Sequence, residues 1–172
     1  GCGTGHNLAM LEQFGAVDAV ELDEAARTLA EQRLGKPVHS APLPELAGVG
    51  GGYDLIGAFD VIEHIDDDGA ALASIATKLR PGGKLVMTVP AHQWMWSAHD
   101  VVNHHKRRYS KRALRSLIKD SPLRLEAIGY FNSLLFPVAV AERTASKLRG
   151  KEESDLTLPP KPLNLALERT FA

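Results

Sequence analysis

The chain has 172 residues, of which 44% are hydrophobic and 24% charged, the size and make-up of one globular domain with a core of its own. A formal net charge of -1 argues against a broad nucleic-acid-binding face, and no nucleic-acid partner is expected. The single cysteine, Cys2, rules out an intramolecular disulfide and fits a reducing, cytoplasmic setting. The most apolar run, Leu134 to Ala141, is far shorter than the roughly 20 residues of a bilayer helix. No signal-peptide pattern is visible. No transmembrane segment is therefore expected; peripheral membrane contact stays open, and oligomeric state is unset.

The first residues, Gly1-Cys2-Gly3-Thr4-Gly5-His6-Asn7, carry glycine at alternate positions and read as a loop. Leu8, Met10 and Leu11 begin a short helix, for which Gly15 is a stop. Val17 to Val20 reads as a short strand ending at Glu21. Asp23 to Gln32 has helical propensity and is closed by Gly35 and Pro37. Val38-His39 is too short to assign alone. Pro42 to Gly52 is a loop, and Tyr53 to Phe59 a buried strand.

Asp66 to Asp68 offer N-caps for a helix with Leu72, Ile75 and Leu79 on one face, stopped by Pro81-Gly82-Gly83. Lys84 to Val89 is the next strand, ended by Pro90. A loop from Ala91 to Tyr109 leads to Ser110, which caps a helix with Leu114, Leu117 and Ile118 on one face. Leu123 to Tyr130 is expected as a strand and Phe131 to Leu148 as apolar, then helical. Lys151 to Pro162 has linker composition, and Asn164 to Phe171 begins a further helix. One domain over residues 1–150, followed by a linker and helix start over 151–172, is the expected organisation.

Strands alternate with helices, so the class is α/β with a mainly parallel sheet, whose ligands bind at the carboxyl ends of the strands. The glycine loop, Glu21, Phe59-Asp60 and the loop after Pro90 would all lie there. Glycine lets backbone approach a ligand closely, and a carboxylate accepts bonds from two ribose hydroxyls. Glu21 follows Gly1 by about 20 residues, the separation of a ribose-binding acid in such a unit. The spacing is G-x-G-x-G, with His6 where a dinucleotide fingerprint has glycine.

Gly1-Cys2-Gly3-Thr4-Gly5 resembles the first motif of class I S-adenosylmethionine-dependent methyltransferases. Val20-Glu21-Leu22-Asp23 is similar to their acidic second motif. Tyr53-Asp54-Leu55-Ile56 and Phe59-Asp60-Val61-Ile62-Glu63-His64-Ile65 resemble their fourth strand and its exit. Leu79-Arg80-Pro81-Gly82-Gly83-Lys84-Leu85 resembles the turn before the fifth. The resemblance covers about residues 1–90 and implies a Rossmann-like three-layer α/β sandwich with a mainly parallel sheet. The family has a strand before the glycine loop and an antiparallel pair at the far edge. The chain is therefore expected to be truncated before its first strand and at its C-terminal end.

By position the resemblance implies S-adenosylmethionine as cofactor. Gly1, Cys2, Gly3 and Gly5 would line its methionine and ribose parts. Glu21 would hold the ribose hydroxyls, Leu22 would lie on the adenine, and Phe59, Asp60 and Val61 would line the methionine end. Ser40 or Ala41 stands where the family often has an acid that reads the adenine amino group.

The stretch from Pro90 to Tyr109 holds both tryptophans and four of the seven histidines. Such a loop after a strand end is a site candidate. It resembles a methyltransferase subgroup with a similar Pro-Ala, Trp-Ser, His-Asp and His-x-Arg-Arg-Tyr series, many of whose members act in lipid or cell-surface glycan pathways. His105 is the candidate base, with Asp100 as orienting partner and Tyr109 as a third catalytic candidate. A structural network of Asp100, Arg108 and Tyr109 is the alternative.

His92, His99, Asp100, His104 and His105 match no zinc spacing, so no metal is expected. Lys106 to Arg115 holds six basic residues, and Lys111, Arg112 and Arg115 read best as a solvated helix face. Trp94 and Trp96 flank an acceptor or cover a core edge. The function expected is methyl transfer to a small-molecule, lipid-linked or glycan acceptor. The alternatives are a nicotinamide-dependent oxidoreductase, which the Gly5-His6 spacing opposes, and a non-catalytic nucleotide-binding module.

Overall fold

The computed structural model describes residues 1–131 together with 133, 136, 137, 140, 141 and 144. The expected linker over 151–172 and the helix start within it lie outside these residues, as does most of the stretch from Phe131 to Leu148. The chain forms two compact units, Gly1–Gln93 with Lys106–Gly129, and Trp94–His105 with the chain from Tyr130 onward. No helix among the described residues is long and apolar enough to cross a membrane.

The first unit starts with a single helical turn, α1 (Leu8–Leu11). The next helix, α2 (Glu24–Leu34), has the ends its sequence dictates. The Asp23 carboxylate accepts the Ala26 N–H at 2.8 Å, and Gly35 closes the helix in the left-handed region at φ 71°. Leu8, Ala19, Ala30, Leu34 and Val38 form a small core between these parts.

The sheet is a parallel pair, β1 (Tyr53–Phe59) and β2 (Leu79–Thr88), joined by α3 (Asp68–Lys78) as a β-α-β unit. Asp67 caps α3 by accepting the Ala70 N–H at 2.8 Å. Ile56 pairs with Leu85 and Ala58 with Met87 on the face that packs against the main core of Leu46, Ile62, Ala71, Leu72, Ile75, Tyr109 and Ile118. Leu72 and Ile62 have no exposed surface. Helix α5 (Lys111–Lys119) closes this core, with Ser110 Oγ accepting the Ala113 N–H at 3.1 Å.

Several sequence expectations need correction. Val17 to Val20 is not a strand; Val20 makes one isolated parallel bridge, to His39. That bridge explains Val38-His39, which is too short to read without its partner. Pro81-Gly82-Gly83 does not stop α3, which ends at Lys78, but lies inside β2. There the register slips between Tyr53 and Leu55, and Gly82 sits at φ 79°. A Cβ on Gly83 would stand 2.7 Å from the Tyr53 carbonyl oxygen, so the strand passes only because the side chain is missing. Leu123 to Tyr130 runs without helix or strand, having no ladder partner among the described residues.

The expected loop from Ala91 to Tyr109 holds a 3-10 turn, Gln93–Met95, and helix α4 (Ala98–Val102). A reciprocal capping box builds α4: Ser97 and Asp100 each accept from the other's end of the turn.

Candidate functional site

The glycine loop is tied to the segment beside it. The Gly1 nitrogen and the Cys2 N–H both donate to the Val20 carbonyl, at 2.7 and 2.9 Å. Gly5, at φ 80°, is buried against α2, where a Cβ would meet Ala30 Cα at 2.9 Å and Leu8 Cδ1 at 3.1 Å. Gly3, at φ 55°, faces open space, with nothing within 4 Å of a Cβ position. Gly5 therefore seats the loop on the helix, and Gly3 leaves its outer side clear. Burial pushes the Cys2 thiol up from its ordinary value.

Glu21 is the hinge of the arrangement. Its Oε2 accepts the Gly3 N–H at 2.7 Å, while Oε1 accepts the Leu22 and Asp23 N–H groups at 2.9 and 3.0 Å. Of the roughly four acceptor positions of a carboxylate, three are filled and one remains on Oε2. That position can accept one further hydroxyl. A second bond to the carboxylate would require displacing a backbone donor, so the two-handed grip expected from sequence is half committed to the protein itself.

The other cofactor candidates gather around this point through the backbone. The Glu21 N–H donates to the His39 carbonyl at 2.9 Å, which places Ser40, exposed, and Ala41, buried, on the adjoining segment. A Cβ on Gly1 would stand 3.0 Å from Val61 Cγ2, so the loop abuts the exit of β1. Asp60 there adopts φ 52°, unusual for a residue with a side chain, and its N–H donates to the Thr88 carbonyl at 3.1 Å. Strained backbone of this kind gathers at ligand sites. Leu22 and Phe59 are exposed at 53% and 42%, apolar surface beside an otherwise polar rim.

In the second unit, Asp100 has no exposed surface. Its Oδ2 accepts from the Ser97 N–H at 2.8 Å, and its Oδ1 pairs with His105 Nδ1 at 2.9 Å. The His105 ring is 10% exposed and meets the His99 ring edge-on. Trp94, 59% exposed, stacks edge-on with Phe136.

Tyr109 belongs to the first unit and is a core residue, 5% exposed. Its hydroxyl donates to Asp68 Oδ2 at 2.8 Å, and Arg107 pairs with the same oxygen at 2.8 Å. Burial first, and then the Asp68 bond, push its hydroxyl well above the ordinary tyrosine range. Its backbone bridges Ala91, and the Arg108 guanidinium donates to the Ala91 carbonyl at 3.1 Å. Tyr109 and Arg108 thus hold the chain leaving β2, whereas Asp100 and His105 pair with each other. Sequence reasoning missed the burial of Glu63, fully enclosed just past β1, whose carbonyl accepts the Lys106 N–H at 2.8 Å. No pattern in the sequence marks it. The Ser97-x-x-Asp100 box was readable as a helix start.

These features define the Rossmann-like α/β class. Residues 1–128 match the model of a methyltransferase domain, and the chain belongs to that family. It is 32% identical over 109 residues to trans-aconitate 2-methyltransferase of Deinococcus radiodurans, covering 60% of this chain and 39% of that protein. It is 35% identical over 103 residues to ubiquinone biosynthesis O-methyltransferase of Parvibaculum lavamentivorans, covering 54% and 41%. The matches thus span about two fifths of these relatives' length.

Among solved structures, an S-adenosylmethionine dependent methyltransferase from Mesorhizobium loti has the same fold, with a TM-score of 0.67 at 17% identity over 83% of this chain and 82% of that one. Magnesium protoporphyrin IX methyltransferase from Synechocystis, solved with bound SAH, scores 0.57 at 19% identity over 75% and 64%.

Proposed function

We propose that the protein transfers a methyl group from S-adenosylmethionine to a small-molecule, lipid-linked or glycan acceptor. The observation that carries this reading is the Glu21 carboxylate, bonded to the Gly3 N–H of the glycine loop with one acceptor position left on Oε2. When bound there, the cofactor supplies a methyl group already activated on a sulfonium. Glu21 orients the ribose, Leu22 and the Ser40-Ala41 segment flank the adenine, and Gly1, Cys2, Phe59, Asp60 and Val61 border the methionine end. One relative is named for methylating trans-aconitate and the other for O-methyl transfer in ubiquinone biosynthesis, which supports an acceptor of the small-molecule class.

His105 serves as general base where the acceptor must lose a proton. An ionised carboxylate only accepts, so the contact with Asp100 is a bond from His105 Nδ1–H that orients the ring. Tyr109 positions the chain leaving β2.

Calorimetry with S-adenosylhomocysteine and with NAD tests the cofactor. Tighter binding of NAD would overturn the reading. His105→Ala should lower turnover about a hundredfold or more while leaving S-adenosylhomocysteine affinity unchanged. Intact turnover, or lost cofactor binding, would remove His105 from the chemistry.

A further inference from the structure

Between residues 106 and 124 the chain carries eight basic residues and one acid, Asp120, although the whole chain is nearly neutral. The fold divides six of these cations into two groups of three. Lys106 pairs with Asp66, Arg107 with Asp68, and Arg108 donates to the Ala91 carbonyl. Arg112, Arg115 and Lys119 are exposed on α5 and have no hydrogen-bond or ion-pair partner among the described residues. At positions i, i+3 and i+7 they form one stripe about 10 Å long. Arg112 lies in the first turn of α5, a turn with no acid, where the helix dipole disfavours a cation. Helix stability therefore does not explain its presence.

Beside this stripe runs a shallow groove of about 330 Å³, lined by Arg115, Ile118, Lys119, Leu123, Arg124 and Leu125. Arg124 is 90% exposed, and its nearest anion is Glu126 at 3.8 Å, which is already held by Lys84. Three cations and three aliphatic side chains share the lining, with no aromatic ring for a base to stack on. That mixture suits an amphiphile with an anionic head and an aliphatic body better than a single-stranded nucleic acid, which needs stacking platforms.

We propose that this face of α5, with the groove at Leu123–Leu125, docks on the surface of an anionic phospholipid bilayer. The attachment is electrostatic, because Leu114, Leu117 and Ile118 of α5 are already packed on the core and cannot insert. Leu125, 36% exposed, adds a small apolar contact at the rim. The inference is independent of the methyl-transfer reading, since none of these residues belongs to the site assigned to it.

Flotation of the protein with vesicles tests it. Vesicles of 70% phosphatidylcholine and 30% phosphatidylglycerol, an arbitrary working composition of roughly physiological anionic content, should carry the protein at about 0.1 M salt. Pure phosphatidylcholine vesicles should not, and about 0.5 M salt should release it. The triple variant Arg112→Gln, Arg115→Gln, Lys119→Gln should lower partitioning about a hundredfold, at roughly fivefold per cation. Removing the same charge elsewhere, by Arg33→Gln, Lys36→Gln and Arg80→Gln, should lower it much less. Circular dichroism melts establish that both variants fold. Equal losses in the two triple variants would show a diffuse charge effect and overturn the proposal. So would binding to neutral vesicles, undiminished binding of the α5 variant, or release by about 10 mM inorganic phosphate at constant ionic strength, which would mark a soluble-anion site.

Discussion

Substitution Glu21→Gln removes both jobs of the carboxylate, and two measurements tell them apart. Gln keeps the length of the side chain and one carbonyl oxygen, which can go on accepting the Leu22 and Asp23 N–H groups now held at 2.9 and 3.0 Å. The amide nitrogen would then face the Gly3 N–H, donor against donor, where Oε2 now accepts at 2.7 Å. Both the tie to the glycine loop and the remaining acceptor position on Oε2 are lost together. Each hydrogen bond to a charged group contributes about 1.5–3 kcal/mol. The loop donor is exposed and recovers part of this from water, so folding stability should fall by no more than about 1.5 kcal/mol.

A ribose hydroxyl has no such recovery, and affinity for S-adenosylhomocysteine should fall by the larger amount, about ten- to a hundredfold. Calorimetric titration gives the affinity, and a thermal melt gives the stability. A variant that binds S-adenosylhomocysteine as tightly as the parent would refute the ribose assignment. A variant that loses stability and affinity in the same proportion would show that Glu21 acts only by holding the loop.

Gly5→Ala should destabilise the protein by about 2 kcal/mol or more, seen as a lower melting temperature, because the methyl group enters 2.9 Å from Ala30 Cα at a φ of 80°. Gly3→Ala, in open space, should cost only the backbone strain, about 1–2 kcal/mol, and serves as its control. Tyr109→Phe should lower stability by about 1.5–3 kcal/mol through the lost bond to Asp68. It should also flatten the alkaline limb of the stability curve. In the folded state Tyr109 holds its proton above the ordinary tyrosine range, whereas the unfolded chain releases it near pH 10. Its contribution is therefore full below about pH 10 and is lost as pH rises toward the folded value. Equal slopes above pH 10 in the two proteins would contradict this account.

Elements whose ends are set by neighbours in the chain were legible in the sequence. Asp23 and Gly35 bound α2, Asp67 starts α3, Ser110 starts α5, and Tyr53 to Phe59 is β1, although only Ala58 of it is buried and the expected buried strand is not found. Features set by a distant partner were not. The Val20 bridge depends on His39, and the passage of Pro81-Gly82-Gly83 through β2 depends on the Tyr53 backbone. Both are tertiary decisions that overrule local propensity. Helix α4 fell between these cases: its capping box is local, but five residues are too few to show a periodicity.

The same division runs through the candidate site. Gly1, Gly3, Gly5 and Glu21 were recognisable from spacing, yet what each does differs for reasons that spacing does not carry. Gly5 packs on Ala30, whereas Gly3 faces open space, although both have positive φ and both would be scored alike in a pattern. Tyr109 illustrates the converse. Its place in a series of histidines and arginines suggested chemistry, but the carboxylate it meets is Asp68, on the first turn of α3, a residue far away in sequence. That contact, with Arg107 on the same oxygen, converts a run of charged residues into a clamp between the start of α3 and the segment leading to α5. The run therefore splits into two functions along its length. Its first three cations bond to Asp66, Asp68 and the Ala91 carbonyl, whereas Arg112, Arg115 and Lys119 on α5 are turned outward.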